Sequence, residues 1–145
     1  MFWISLPEKG RSAMKAISIH PRFAMEIACR RKTVECRTWQ THYRGELLIC
    51  ASAKREPDCI AGHALAVCTL SSILPFSEAH LSPAEMDEMP IRPSYAWMLE
   101  AIRPIHPFPV KGRLGLFDVQ AEPALLSESI TMEELLAVFA PFCNK

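Results

Sequence analysis

Between Arg30 and Gly45 the chain gathers the residue types that could do chemistry: three consecutive cations, an alternating Glu35 and Arg37, and two aromatics, Trp39 and Tyr43. A lysine beside a carboxylate can be tuned into a base or nucleophile when both lose water, which makes Lys32 and Glu35 a possible catalytic pair. Arg37 and Arg44 carry the planar fork that grips a phosphate in two bonds. Trp39 and Tyr43 offer faces for a nucleobase, a contact of roughly 1–3 kcal/mol in single-strand binders. The same spacing also fits a solvated strand face whose cross-strand ion pairs contribute roughly 0–1 kcal/mol each. Further along, Lys111-Gly112-Arg113 is either a simple turn or a phosphate contact, with Gly112 permitting close backbone approach. Trp97 is open between a wall of the site and a core residue. His20 and His42 flank the stretch, but a lone histidine is more often a surface or core residue than a catalyst.

The totals restrict what these residues can belong to. At 145 residues, half of them hydrophobic, the chain suits one domain with a single core. Sixteen Lys and Arg balance sixteen Asp and Glu, which argues against a histone-like polycation. The charge is uneven, however: eight basic and three acidic residues lie between Arg22 and Arg55, against one Arg and five acids between Glu78 and Glu100. A basic first half can present a positive surface to phosphates. The six cysteines show no C-x-x-C spacing, and several sit in apolar runs as small hydrophobes would. We expect free thiols, a reducing cytoplasm, no membrane span, no metal site and no cofactor.

The elements that must position the site follow from periodicity. Residues 1–13 form an extension without a clear period, flexible or preceding a second start at Met14. Ala16–Ile19 reads as a strand, and Pro21 suits the first turn of a helix carrying Phe23, Ala24, Ile27 and Ala28. Arg30, Arg31 and Lys32 close that helix at the negative end of its dipole. From Thr33 the period changes to two, with Val34 and Cys36 on one face and Thr33, Glu35, Arg37 and Trp39 on the other. A turn at Arg44-Gly45 leads into an apolar central strand, 46–52, and another strand lies within 62–74. Ser82-Pro-Ala-Glu85 has capping-box spacing and predicts the start of a short helix. Residues 95–102 fit helix or strand, Pro104, Pro107 and Pro109 predict an extended connector, and 114–119 is a last strand. Thr131 begins a terminal helix with Leu135, Leu136 and Phe139 at helical spacing. Five or six strands with short helices predict an α+β fold built on a small barrel.

From Met14 to Val119 the sequence resembles the ASCH domain family, a branch of the PUA-like superfamily. The residues that carry the likeness are Ile17-Ser18-Ile19, then Lys32, Glu35, Arg37 and Trp39, then Arg44-Gly45 before Leu47-Leu48-Ile49-Cys50-Ala51-Ser52. Gly62, Trp97 and Pro109-Val110-Lys111-Gly112 before Leu114-Gly115-Leu116-Phe117 follow in order. Arg30 departs from the pattern, which has glycine two residues before the motif lysine. The resemblance implies a PUA-like β-barrel over residues 14–121, with 122–145 as a C-terminal helical appendage. It implies a cleft lined by the K-x-x-E-x-R residues that binds RNA or a nucleotide-like ligand. Some similar proteins hydrolyse: a ribonuclease would use Lys32 with Glu35 as base, and small amidohydrolases acting on 4-acetylcytidine use a Lys, a Thr and a Glu. The amidohydrolase Thr falls on Glu35 here, while Thr33 directly follows Lys32, and Glu85, Glu88 and Glu100 compete for the Glu. The resulting site set is Lys32, Glu35 and Thr33 for catalysis, with Arg37, Trp39, Tyr43, Arg44, Trp97 and Lys111 for the ligand. Binding domain, hydrolase and protein-interaction adaptor all remain open at this point.

Overall fold

The computed structural model describes residues 13–144. The predicted extension, apart from Ala13, therefore lies outside the described residues. Six strands form one sheet in the order β2-β5-β4-β3-β1-β6: β1 (Ala13–Ile19), β2 (Val34–Arg37), β3 (Gly45–Ala51), β4 (His63–Pro75), β5 (Tyr95–Pro109) and β6 (Leu116–Gln120). Only β1 and β3 pair in parallel. Register shifts at three points along β4–β5 bend the two long strands, and the sheet curls into a half-barrel.

Both faces of the sheet centre are buried. Ile17, Ile19, Leu47 and Ile49 face one apolar cluster with Leu70 and Trp97, whereas Met14, Ala16, Leu48 and Cys50 face another with Ile105 and Phe117. That is why 46–52 reads as a continuous apolar run instead of an alternating one. Helix α1 (Pro21–Ala28) begins with Pro21 in its first turn and seals the first cluster with Ala24, Ile27 and Ala28. Helix α3 (Met132–Phe139) starts from Thr131, whose hydroxyl accepts from the Glu134 amide at 3.1 Å while the Thr131 amide donates to Glu134 at 2.9 Å. It buries Leu135 and Phe139 in that same core.

Three local expectations need correction, and one left open between helix and strand is decided. Residues 95–102 are strand, and Pro104 and Pro109 lie within β5 beside Ala66 and His63 rather than in a connector. The register shifts accommodate prolines that have no N–H to donate. The helix expected to start at Ser82 is α2 (Leu81–Ala84), which ends there because Glu85 adopts a left-handed φ of 57°. Helix α1 stops at Ala28, so Arg30, Arg31 and Lys32 lie beyond its last turn. Arg30 occupies the left-handed position after the cap (φ 64°), and the amides of Arg30 and Arg31 return to the carbonyls of Ile27 and Glu26. This is the Schellman arrangement that usually selects glycine.

Candidate functional site

Strand β2 is only four residues long, and it separates the motif residues. Glu35 lies opposite Trp97 of β5 and Arg37 opposite Tyr95. Val34 packs on Ala84 and Ala96, while Cys36 is half-buried. Glu35 on the other face is also buried, at 5% exposure, as is Lys32, at 2%. A charge so far from water must be bonded. Lys32 Nζ donates to the Ala84 carbonyl at 2.7 Å, lies 3.4 Å from Glu35 Oε1 and sits 4.9 Å from the Phe23 ring centroid. Glu35 Oε2 in turn accepts from Arg37 Nη1 at 3.2 Å, and Arg37 Nη2 donates to the Ser18 carbonyl at 3.3 Å. Burial pushes the Glu35 carboxyl above its ordinary value, against the pull of Lys32 and Arg37.

The output of this row is Arg37, which lines a cavity of about 590 Å³ with Trp39, Ser18, Ser52 and the loop from Val110 to Gly115. That volume lies within the range of roughly 300–1,000 Å³ typical of ligand pockets. Arg37, Lys111 and Arg113 line it, and among the described residues no carboxylate does. The Arg37 carbon sits 5.9 Å from the Trp39 ring, and its buried Nε has no hydrogen-bond partner among the described residues. Gly112 is pressed against β1: a Cβ there would lie 2.7 Å from Ser18 Oγ. Any side chain at this position would therefore push the loop outward or displace the serine.

The expected site residues thus divide. Arg37, Trp39 and Lys111 meet at the cavity; Lys32 and Glu35 stand behind it and do not line it. Trp97 is fully buried, meets Trp39 edge-on with ring centroids 4.8 Å apart and donates its Nε1–H to the Trp39 carbonyl at 3.1 Å. It supports the cavity wall instead of forming it. Tyr43 and Arg44 bond their own loop, Tyr43 through its hydroxyl to the Glu46 carbonyl and Arg44 to the carbonyls of Thr41 and Tyr43. Thr33 opens on a separate cavity with Arg30, Ile102 and Arg103, so the period-two face does not extend to it. Glu100 lines that second cavity as well, and Glu85 and Glu88 are exposed. His20 caps α1 and pairs with Glu56 at 2.9 Å.

Ser18 and Ser52 were not among the expected ligand residues, and Arg113 was raised only within the Lys111-Gly112-Arg113 segment. Ser18 had a signal, because it sits inside the Ile17-Ser18-Ile19 strand where a third apolar residue would pack. Ser52 had none beyond following the apolar run. Among the described residues, no group of three or more His, Cys, Asp or Glu could hold a metal, and no helix is long and apolar enough to cross a membrane.

Comparison with known proteins agrees with this geometry at the level of the fold. The structure of the ASCH protein from Zymomonas mobilis matches 91% of this chain and 96% of its own at 17% identity, with a TM-score of 0.56. A tyrosine-to-phenylalanine mutant of that protein matches 75% of this chain and 91% of its own at 19% identity, also at 0.56. No curated protein matches the chain. The ASCH domain model matches residues 17–121, most of the sequence and all six strands but the first residues of β1. The chain belongs to the ASCH domain family.

Proposed function

We propose that the protein binds single-stranded RNA or a nucleotide-like ligand in the Arg37–Trp39–Lys111 cavity. The observation that carries this reading is the cavity's lining: three cations and an indole with no carboxylate. Phosphate meets the guanidinium and ammonium groups, and the base lies against Trp39. Binding rather than hydrolysis is supported by the position of the polar motif groups. Lys32 and Glu35 are buried and engaged with Ala84, with each other and with Arg37, so neither presents a free atom to a ligand. They fix the direction of Arg37, and Arg37 meets the phosphate.

Fluorescence anisotropy of a labelled single-stranded RNA tests the proposal. Affinity should fall steeply between 50 and 200 mM salt, because phosphate contacts release counterions. Arg37→Ala should weaken binding and lower the salt slope by about one. Binding indifferent to both salt and Arg37→Ala would overturn the reading. Turnover of RNA or 4-acetylcytidine by the wild type, abolished in a folded Lys32→Met variant, would replace it with the hydrolase reading.

A further inference from the structure

The five residues Lys111–Gly115, between β5 and β6, form an exposed irregular segment with glycine at two of its positions. Among the described residues, no hydrogen bond uses the backbone N–H of any of the five. Neither Lys111 nor Arg113 forms an ion pair there. Glycine-rich backbone with unspent N–H groups is the arrangement that cradles phosphate oxygens. This loop lines the same cavity as Arg37, whose buried Nε is likewise without a partner among the described residues. Arg37 is already balanced in part by Glu35, whereas Lys111 and Arg113 have no ion-pair partner among the described residues.

We infer that the loop receives a terminal phosphomonoester, so that the site takes the phosphorylated end of an RNA strand or a free mononucleotide. This rests on the nucleotide-binding reading above and narrows it. A terminal phosphate carries about −1.5 to −2 charges at pH 7 and offers three acceptor oxygens. An internal phosphodiester carries one charge and two unesterified oxygens, fewer than Arg37, Lys111, Arg113 and the loop backbone together can engage. The close approach of Gly112 to Ser18 places the loop backbone, and not only its side chains, at the cavity wall. The Trp39 face then takes the base attached to that phosphate.

The test compares pentauridylate bearing a 5′-phosphate, a 3′-phosphate or hydroxyls at both ends, at one fixed salt concentration, with uridine monophosphate and uridine as competitors. At least one phosphorylated end should bind at least tenfold more tightly than the hydroxyl form. Competition by uridine monophosphate, and not by uridine, identifies a free mononucleotide as a ligand; a phosphorylated strand that the monophosphate cannot displace identifies the strand end. Lys111→Gln with Arg113→Gln should reduce the preference below threefold, and Gly112→Ala should do the same by moving the loop. Equal binding of phosphorylated and unphosphorylated strands overturns the inference and leaves RNA binding intact. Failure of every probe to bind overturns both.

Discussion

The guanidinium of Arg37 lies 3.2 Å from the carboxylate of Glu35, and that carboxylate is shared on its other oxygen with the buried ammonium of Lys32. The three motif residues therefore form a row that leads to the cavity and do not line it side by side. Lys32 is deepest, fastened to Ala84 of α2; Glu35 is in the middle; Arg37 alone reaches the cavity. The order has an electrostatic reason. A lone buried charge is costly, and a pair repays that cost only when its remaining donors and acceptors are satisfied. The Ala84 carbonyl and the Arg37 guanidinium supply those partners.

Breaking the row at its buried end should cost more than its surface accessibility suggests. Glu35→Ala leaves Lys32 buried without its counterion, and a loss of roughly 3–5 kcal/mol in urea unfolding is expected. Lys32→Met keeps the length and the apolar contact with Phe23 but strands Glu35. Combined as Lys32→Met with Glu35→Leu, the two changes should cost less than the sum of the single effects by roughly 0.5–3 kcal/mol. Strict additivity would mean that the pair carries no coupling.

Trp39 tests the base contact separately from the phosphate contact. Trp39→Ala should weaken RNA binding by roughly 1–3 kcal/mol while leaving the salt slope unchanged, because stacking releases no counterions. Arg37→Ala should show the converse signature, with a slope reduced by about one. A Trp39 variant that changed the slope as much as Arg37→Ala would mean that the indole acts only by positioning Arg37, 5.9 Å away.

The sequence pattern revealed the sheet better than it revealed the depth of each polar residue. The switch from helical to two-residue period at Thr33 located β2, and the apolar run 46–52 located β3, because burial on both faces leaves a continuous hydrophobic signal. Lys32 and Glu35 carried no such signal: a buried ion pair and an exposed one have the same residue types at the same spacing. Only α2, which arrives some fifty residues later with the Ala84 carbonyl, decides between them. Trp97 was ambiguous for the same reason, since the partner of its fully buried indole N–H is the Trp39 carbonyl in the loop after β2. Residues 95–109 misled because prolines usually end strands, and bulges against β4 are not visible in a linear pattern.

The thiols provide a probe of the core with a definite pH sign. Cys50 and Cys68 are buried in apolar surroundings, which pushes both thiols up to about 12 from an ordinary 9.0. Their folded values are raised, so their contribution to stability is complete below pH 9 and is lost as pH rises toward 12, where the unfolded thiolates have already formed. Each thiol can add a slope of up to about 1.4 kcal/mol per pH unit in that window. Urea unfolding from pH 8 to 11 should therefore show a shallower decline in Cys68→Ala than in the wild type, whatever its starting stability. In the native protein a thiol reagent at pH 8 should label Cys36 and Cys143 ahead of the buried Cys29, Cys50, Cys59 and Cys68. Equal labelling of all six without denaturant would contradict the packed core.

Arg30 holds a left-handed backbone position that a glycine would occupy without steric cost, yet its side chain also donates from Nε to the Ile102 carbonyl at 2.9 Å. The two effects oppose each other, so Arg30→Gly alone does not measure the strain. Comparing Arg30→Gly with Arg30→Ala does, because both lose the bond to Ile102 and differ only in the Cβ that crowds the following carbonyl. Glycine should be the more stable of the two by about 1 kcal/mol, seen as a shift in the urea midpoint with an unchanged m-value. If alanine were as stable as glycine, residue 30 would not hold its φ of 64° in solution, and the Schellman turn that delivers Lys32 to Glu35 would need another explanation.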